Sequence, residues 1–103
     1  MRFTSFSIAV VLTAVATAPA WASTELADKH DCLNCHSVNN KSVGPAFRDI
    51  GAKYKTDAQA QEYLAKKVLQ GSTGVWGKLA MPGMSRIPAE DVNALVTWVL
   101  ALP

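Results

Sequence analysis

The chain has 103 residues, of which half are hydrophobic and 17% are charged, and its net charge at neutral pH is only +2. This length allows one domain at most. No basic block is dense enough to bind nucleic acid, and no acidic run suggests a disordered tail. The composition therefore indicates one small folded domain.

The first 22 residues have the layout of a secretory signal peptide. Arg2 precedes an apolar run over 6–18, which ends in the small-residue exit AWA at 20–22. A transmembrane anchor is the alternative, but the run is short, Ser and Thr interrupt it, and no basic cluster follows. We predict cleavage after Ala22, with Ala20 as the second candidate, export to an oxidising compartment, and no stable membrane insertion afterwards.

Removing 22 residues from 103 leaves a mature domain over residues 23–103. The leader takes Arg2 with it, so nine basic side chains then oppose eight acidic ones. A domain of this size obtains only ~3–5 kcal/mol from its own core and tends to need a disulfide, a metal or a large bound group.

Capping residues and apolar spacing predict about four helices and no strands, an all-α fold. A first helix runs from about Thr24 into Cys32, and FRDIGAKY at 47–54 makes two further turns. Thr56 and Gln59 form a capping box that opens a helix ending at Gly71.

A long loop over 71–88 with four glycines and two prolines follows the third helix. Pro88 suits the first position of a last helix. The apolar stripe of that helix has helical spacing and comprises Val92, Leu95, Val96 and Val99.

Both cysteines lie in one motif, CLNCH, which spans Cys32, Cys35 and His36. Structural zinc needs four ligands, and the only other histidine is His30. A thioredoxin-like pair expects a βαβ context, and a disulfide this short stabilises little.

The same motif is the signature of covalent c-type haem attachment. Two thiols on one turn reach two vinyl groups along one porphyrin edge, and His36 projects its imidazole to the iron. We predict one haem c bound through Cys32 and Cys35; a disulfide or thiol-exchange pair remains the alternative. The haem also supplies core that the mature chain lacks.

The long loop offers a sixth iron ligand. Met81 and Met84 lie in LAMPGM, and Pro82 stiffens the chain directly after Met81. A thioether opposite histidine raises the reduction potential, whereas an open position favours ligand binding. We predict Met81 as the ligand, Met84 as core or loop packing, and His30 as a surface histidine.

Together these blocks resemble the small bacterial class I cytochromes c of the c551/c552 type. The resemblance covers nearly all of residues 25–102, and GVWG followed by MP is more specific than the haem motif. The blocks that carry it are CLNCH, VGPA at 43–46, GSTGVWG at 71–77, Met81-Pro82 and TWVL at 97–100.

The resemblance implies a fold of about four helices around one haem, and further site residues. Pro45 would pack beside the proximal histidine, with a nearby carbonyl accepting its Nδ1 proton. Trp76 would donate its indole N–H to a haem propionate, and Lys67 would help neutralise that charge. Leu64 and Val75 would line the pocket. Ordinary core positions for Trp76 and Leu64, and a solvated one for Lys67, remain the alternatives.

The sequence departs from the family in two places. After Met-Pro the family commonly has a further proline and an asparagine that supports the ligand sulfur, where this chain has Gly83 and Met84. We expect a less rigid loop, a Met81 without that donor, and Met84 as a competitor ligand. Phe47 stands where the family often has tyrosine, so a hydroxyl within reach of a propionate is missing.

The function that the resemblance implies is a monomeric, periplasmic carrier of single electrons, not an enzyme. Its transient partners would be a membrane cytochrome complex as donor and a terminal reductase, oxidase or peroxidase as acceptor. A subunit of a larger redox complex, and a catalytic or ligand-binding haem protein with a displaceable sixth ligand, are the alternatives. Lysines that would frame the exposed haem edge are Lys53, Lys55, Lys66, Lys67 and Lys78.

Overall fold

A computed structural model of the chain describes residues 7–14 and 21–103. Two parts of the predicted signal peptide, 1–6 and 15–20, lie outside the described residues, and 7–14 are exposed without regular structure. Within the described ranges, no helix has both the length and the apolar character needed to cross a membrane.

The described part of the chain contains four α-helices and one short 3₁₀ turn. They are α1 (Trp21–Lys29), the 3₁₀ turn (Cys32–Asn34), α2 (Phe47–Tyr54), α3 (Ala60–Gln70) and α4 (Ala89–Ala101). No strand occurs among these residues beyond one isolated bridge between Ser72 and Met81. The predicted all-α class is confirmed.

The first helix ends earlier than predicted, at Lys29 rather than at Cys32. Asp31 takes the left-handed conformation, with φ 62° and ψ 16°, which an α-helix cannot contain. The chain therefore turns at Asp31 and winds again as the 3₁₀ turn that carries Cys32.

The starts of two later helices also differ from the prediction. Helix α3 begins at Ala60 with Gln59 at its N-cap position and no side-chain cap, so the predicted capping box of Thr56 and Gln59 is wrong. In the turn before the helix, Asp57 Oδ1 accepts a hydrogen bond from the Gln59 N–H at 2.8 Å. Pro88 stands just before α4 with an extended ψ of 139°, so it caps the helix instead of opening it.

Helix α4 lies at the centre and packs against the other three. Its predicted apolar stripe is buried as expected. One face joins Ala27 and Phe47 through Leu95 and Val99, with Trp98 edge-on to the Phe47 ring at 5.5 Å. The other face makes a second cluster of Ile87, Val92 and Val96. The two clusters are separate, and a cavity opens beside them.

The crossing of α2 and α4 leaves no room for a side chain at Gly51, because a Cβ there would overlap the Val99 carbonyl oxygen. We expect Gly51→Ala to lower the free energy of unfolding by about 1–3 kcal/mol through overpacking, although alanine is the better helix former. Thermal unfolding of the purified protein measures the effect. As a control, Ala52→Gly at an exposed site of α2 should cost only about 1 kcal/mol of helix propensity. A Gly51→Ala protein as stable as its parent would contradict this close approach.

Candidate haem site

A cavity of about 360 Å³ lies between the cysteine motif, α3 and the loop after it. Every residue that the sequence assigned to the cofactor lines this one cavity. They are Cys32, Cys35, His36, Pro45, Leu64, Lys67, Val75, Trp76 and Met81. Residues from distant parts of the chain are thus brought together at one site.

The 3₁₀ turn gathers the three groups of the CLNCH motif. The backbone N–H groups of Cys35 and His36 both donate to the Cys32 carbonyl, at 3.2 and 2.9 Å. The structure describes both thiols, and neither is in a disulfide. Burial raises the pKa of the Cys32 thiol, which disfavours the thiolate that an exchange reaction requires. This argues against Cys32 as the attacking thiol of an exchange reaction.

The imidazole of His36 is held on three sides. Its Nδ1–H donates to the Pro45 carbonyl at 2.7 Å, and the Phe47 ring stacks on it at 4.9 Å between centroids. A Cβ at Gly44 would come within 2.7 Å of the ring carbon Cε1. With Nδ1 protonated, Nε2 carries the lone pair that a metal needs. The roles of Gly44 and Phe47 were missed in the sequence, since only the fold brings them to the ring.

Backbone pairing explains how the Pro45 carbonyl reaches His36. The Gly44 N–H donates to the Cys35 carbonyl at 2.7 Å, and the Phe47 N–H donates to the Ser37 carbonyl at 2.9 Å. The segment before α2 is thereby laid alongside the end of the haem motif. The predicted hydrogen-bond acceptor beside the histidine is the Pro45 carbonyl itself.

The backbone of Met81 is tied to the end of α3. Ser72 and Met81 exchange two hydrogen bonds, of 3.0 and 2.8 Å, which close the exposed loop between them. Gly71 has φ +90°, and a Cβ there would lie 2.7 Å from the Met81 carbonyl oxygen. The loop therefore returns Met81 to a fixed place on the cavity wall.

The segment after Met81 is anchored too, in contrast to the looser loop expected from Gly83 and Met84. A Cβ at Gly83 would lie 2.8 Å from the Leu69 carbonyl oxygen, so this close approach requires glycine. The Met84 N–H donates to the Val68 carbonyl at 2.8 Å. The Met84 side chain packs against the second core cluster, as predicted, and it also lines the cavity.

One edge of the cavity carries aromatic rings and lysines. The Nζ of Lys53 lies 5.7 Å from the ring centroids of both Tyr54 and Trp76. Lys67 Nζ lies 5.2 Å from the Tyr63 ring, which is 5.4 Å from that of Tyr54. Burial, aided by the contact with Tyr63, raises the pKa of the Tyr54 hydroxyl, so it stays neutral. Sequence reasoning placed both Lys53 and Lys67 at this edge, but it did not predict the contact between Lys53 and Trp76.

His30 is not the surface histidine that was predicted. Its side chain is 15% exposed, and its Nε2 lies 2.9 Å from Asp91 Oδ2. This pair joins the end of α1 to the first turn of α4. No sequence signal marks it, because the partners are 61 positions apart.

Known proteins are similar to this chain in sequence and in fold. The family model of Cytochrome c matches residues 22–103. Cytochrome c-551 of Allochromatium vinosum is 48% identical over 94 residues, covering 90% of this chain and all of that protein. Cytochrome c-552 of Nitrosomonas europaea is 46% identical over 81% of each chain. The crystal structure of the wild-type Nitrosomonas europaea protein matches with a TM-score of 0.75 at 45% identity, over 78% of this chain and 99% of that one.

The residues present fit a haem, since the cavity combines two unpaired thiols, an imidazole with Nδ1 already bonded, and apolar walls. The protein carries covalently bound haem c and serves electron transfer rather than enzymatic catalysis. With a matching family model over most of its length and relatives named c-551 and c-552, the chain belongs to the cytochrome c family, as a small class I member of the c551/c552 type.

Proposed function

We propose that the mature chain is a periplasmic carrier of single electrons whose haem iron is held by His36 and Met81. The observation that carries this proposal is the single cavity lined by the attachment thiols, the oriented imidazole and the anchored thioether. Bound haem c supplies a one-electron couple of its iron. Cys32 and Cys35 would hold its vinyl edge through two thioethers.

The part of His36 is to present Nε2 without moving. The hydrogen bond to Pro45 sets the tautomer and raises the basicity of the ring as a ligand. The Phe47 stack and the close approach of the Gly44 backbone restrict its rotation. A ligand that keeps its orientation in both oxidation states keeps the reorganisation on electron transfer small.

Met81 would offer its thioether sulfur to the iron from a tied backbone. Both of its backbone hydrogen-bonding groups are engaged by Ser72, so the loop resists the displacement that an added ligand would require. A thioether opposite histidine favours a raised potential. This anchoring supports an electron carrier over a protein with a displaceable sixth ligand.

The cavity edge suits both the haem carboxylates and a redox partner. Trp76 and Lys67 would lie toward the propionates, and Lys53 adds positive charge beside Trp76. Exposed apolar side chains, among them Leu79 at 74% exposure, line the same cavity as Lys41 and Lys78. Small interfaces of this kind serve short-lived redox encounters. A surface with an apolar centre and acidic surroundings, on a membrane donor or a terminal acceptor, would complement these lysines and apolar side chains.

Export through the signal peptide is supported by the family match, which begins at residue 22. We expect the haem-loaded protein recovered from the periplasm to begin at Ser23. Intact-mass analysis with N-terminal sequencing measures this. A chain that retains its first 22 residues would contradict export by cleavage, and one that begins at Trp21 would select Ala20 as the cleavage site.

Substitution of the two loop methionines tests the ligation. We expect Met81→Ala to abolish the weak far-red sulfur-to-iron band of the oxidised protein and to lower its reduction potential, because the thioether is lost. Met84→Leu should retain the band. Retention of the band in Met81→Ala, with loss in Met84→Leu, would assign the sulfur to Met84 instead.

A methyl group at Gly44 tests the orientation of His36. We expect Gly44→Ala to push the ring from the Pro45 carbonyl, weaken their hydrogen bond and raise the reduction potential by an amount on the order of tens of millivolts, since ligand basicity falls. Asn40→Ala, an exposed position earlier in the same loop, is the matched control and should leave the potential unchanged. Equal potentials in the two variants would show that this contact does not tune the iron.

A further inference from the structure

A second cavity, of about 350 Å³, lies between the end of α1 and the segment before α4. Its walls include the charged side chains Lys29 and Arg86. Among the described residues, only Asp31 and Met84 line both this cavity and the haem cavity. Asp31 is exposed, whereas Met84 is partly buried. The Met84 side chain is therefore the apolar part of the wall between the two spaces.

Met84 is held in this wall by contacts on several sides. Its N–H donates to the Val68 carbonyl, and its side chain packs against the cluster of Ile87, Val92 and Val96. The Gly83 backbone lies against the last turn of α3. The His30–Asp91 pair, at 2.9 Å, fixes the α1 side of the second cavity to α4. Neither wall is free to close if the thioether is removed.

We infer that Met84 is a plug: its side chain blocks the passage of water and small ligands from the second cavity into the haem cavity, which Met81 lines. Truncation of a side chain held by rigid neighbours leaves a void instead of a collapsed core. Such a void would join a polar space to the haem cavity. Met84 is thus a specificity-determining residue that favours electron transfer over ligand binding, and this role rests on the proposed ligation by Met81.

The experiment follows ligand binding to the haem-loaded protein by absorption spectroscopy. Imidazole is mixed with the oxidised protein and carbon monoxide with the reduced protein, for the parent and three variants. We expect Met84→Ala to bind both ligands about tenfold faster or more, because the activation barrier to ligand entry is lower. Met84→Leu restores the volume without sulfur and should bind at the rate of the parent.

Ile87→Ala is the matched control for a loosened core. Ile87 is buried in the same cluster and lines the second cavity but not the haem cavity. Its truncation should lower the melting temperature as Met84→Ala does, yet leave the binding rates unchanged. Equal acceleration in Ile87→Ala would reduce the effect to lost stability and overturn the inference.

Other outcomes are equally decisive. Unchanged binding rates in Met84→Ala would overturn the inference. Rapid binding by Met84→Leu would overturn it too, since the sulfur rather than the volume of the side chain would then matter. Immediate binding by the parent, without a sulfur-to-iron band, would instead overturn the proposed ligation and the inference with it. The spectrum of the parent before mixing separates this failure from the others.

Discussion

The hydrogen bond from His36 Nδ1–H to the Pro45 carbonyl is the interaction on which the rest of the site depends. At 2.7 Å it selects the tautomer with Nε2 available to a metal. It exists because the segment before α2 pairs with the end of the haem motif. That pairing also delivers Phe47 to the ring, and Phe47 belongs to the core around α4. One short contact therefore connects iron ligation to helix packing.

The small size of the protein core makes the haem part of the fold. The described residues include nine buried hydrophobic side chains, of which Val92 is the only large one that is fully buried. Seven of them form two separate clusters next to a cavity of about 360 Å³. A core of this size supplies only ~3–5 kcal/mol, so a domain of this length tends to need an added group. The cavity walls are the surfaces that haem would unite, so we expect the haem-free mature chain to be largely unfolded.

The sequence was most informative where the signal is local. The CLNCH spacing, the stiff Met81-Pro82 pair and the stripe of α4 are each signals within a short segment of chain. In the structure the first two line one cavity and the third is buried. Tertiary effects were missed. The end of α1 depends on the left-handed Asp31, the His30–Asp91 pair spans 61 positions, and the need for glycine at 44 and 83 comes from neighbours on other segments. No pattern within one helix encodes such contacts.

The measurement that tests this account most directly is the absorption spectrum of the exported protein, recorded oxidised and then reduced under carbon monoxide. Ligation by His36 and Met81 predicts a c-type haem spectrum with a weak far-red band when oxidised. It also predicts a reduced spectrum that carbon monoxide does not change at once. A haem spectrum without that band, altered immediately by carbon monoxide, would contradict an anchored thioether ligand and make the protein a ligand-binding cytochrome.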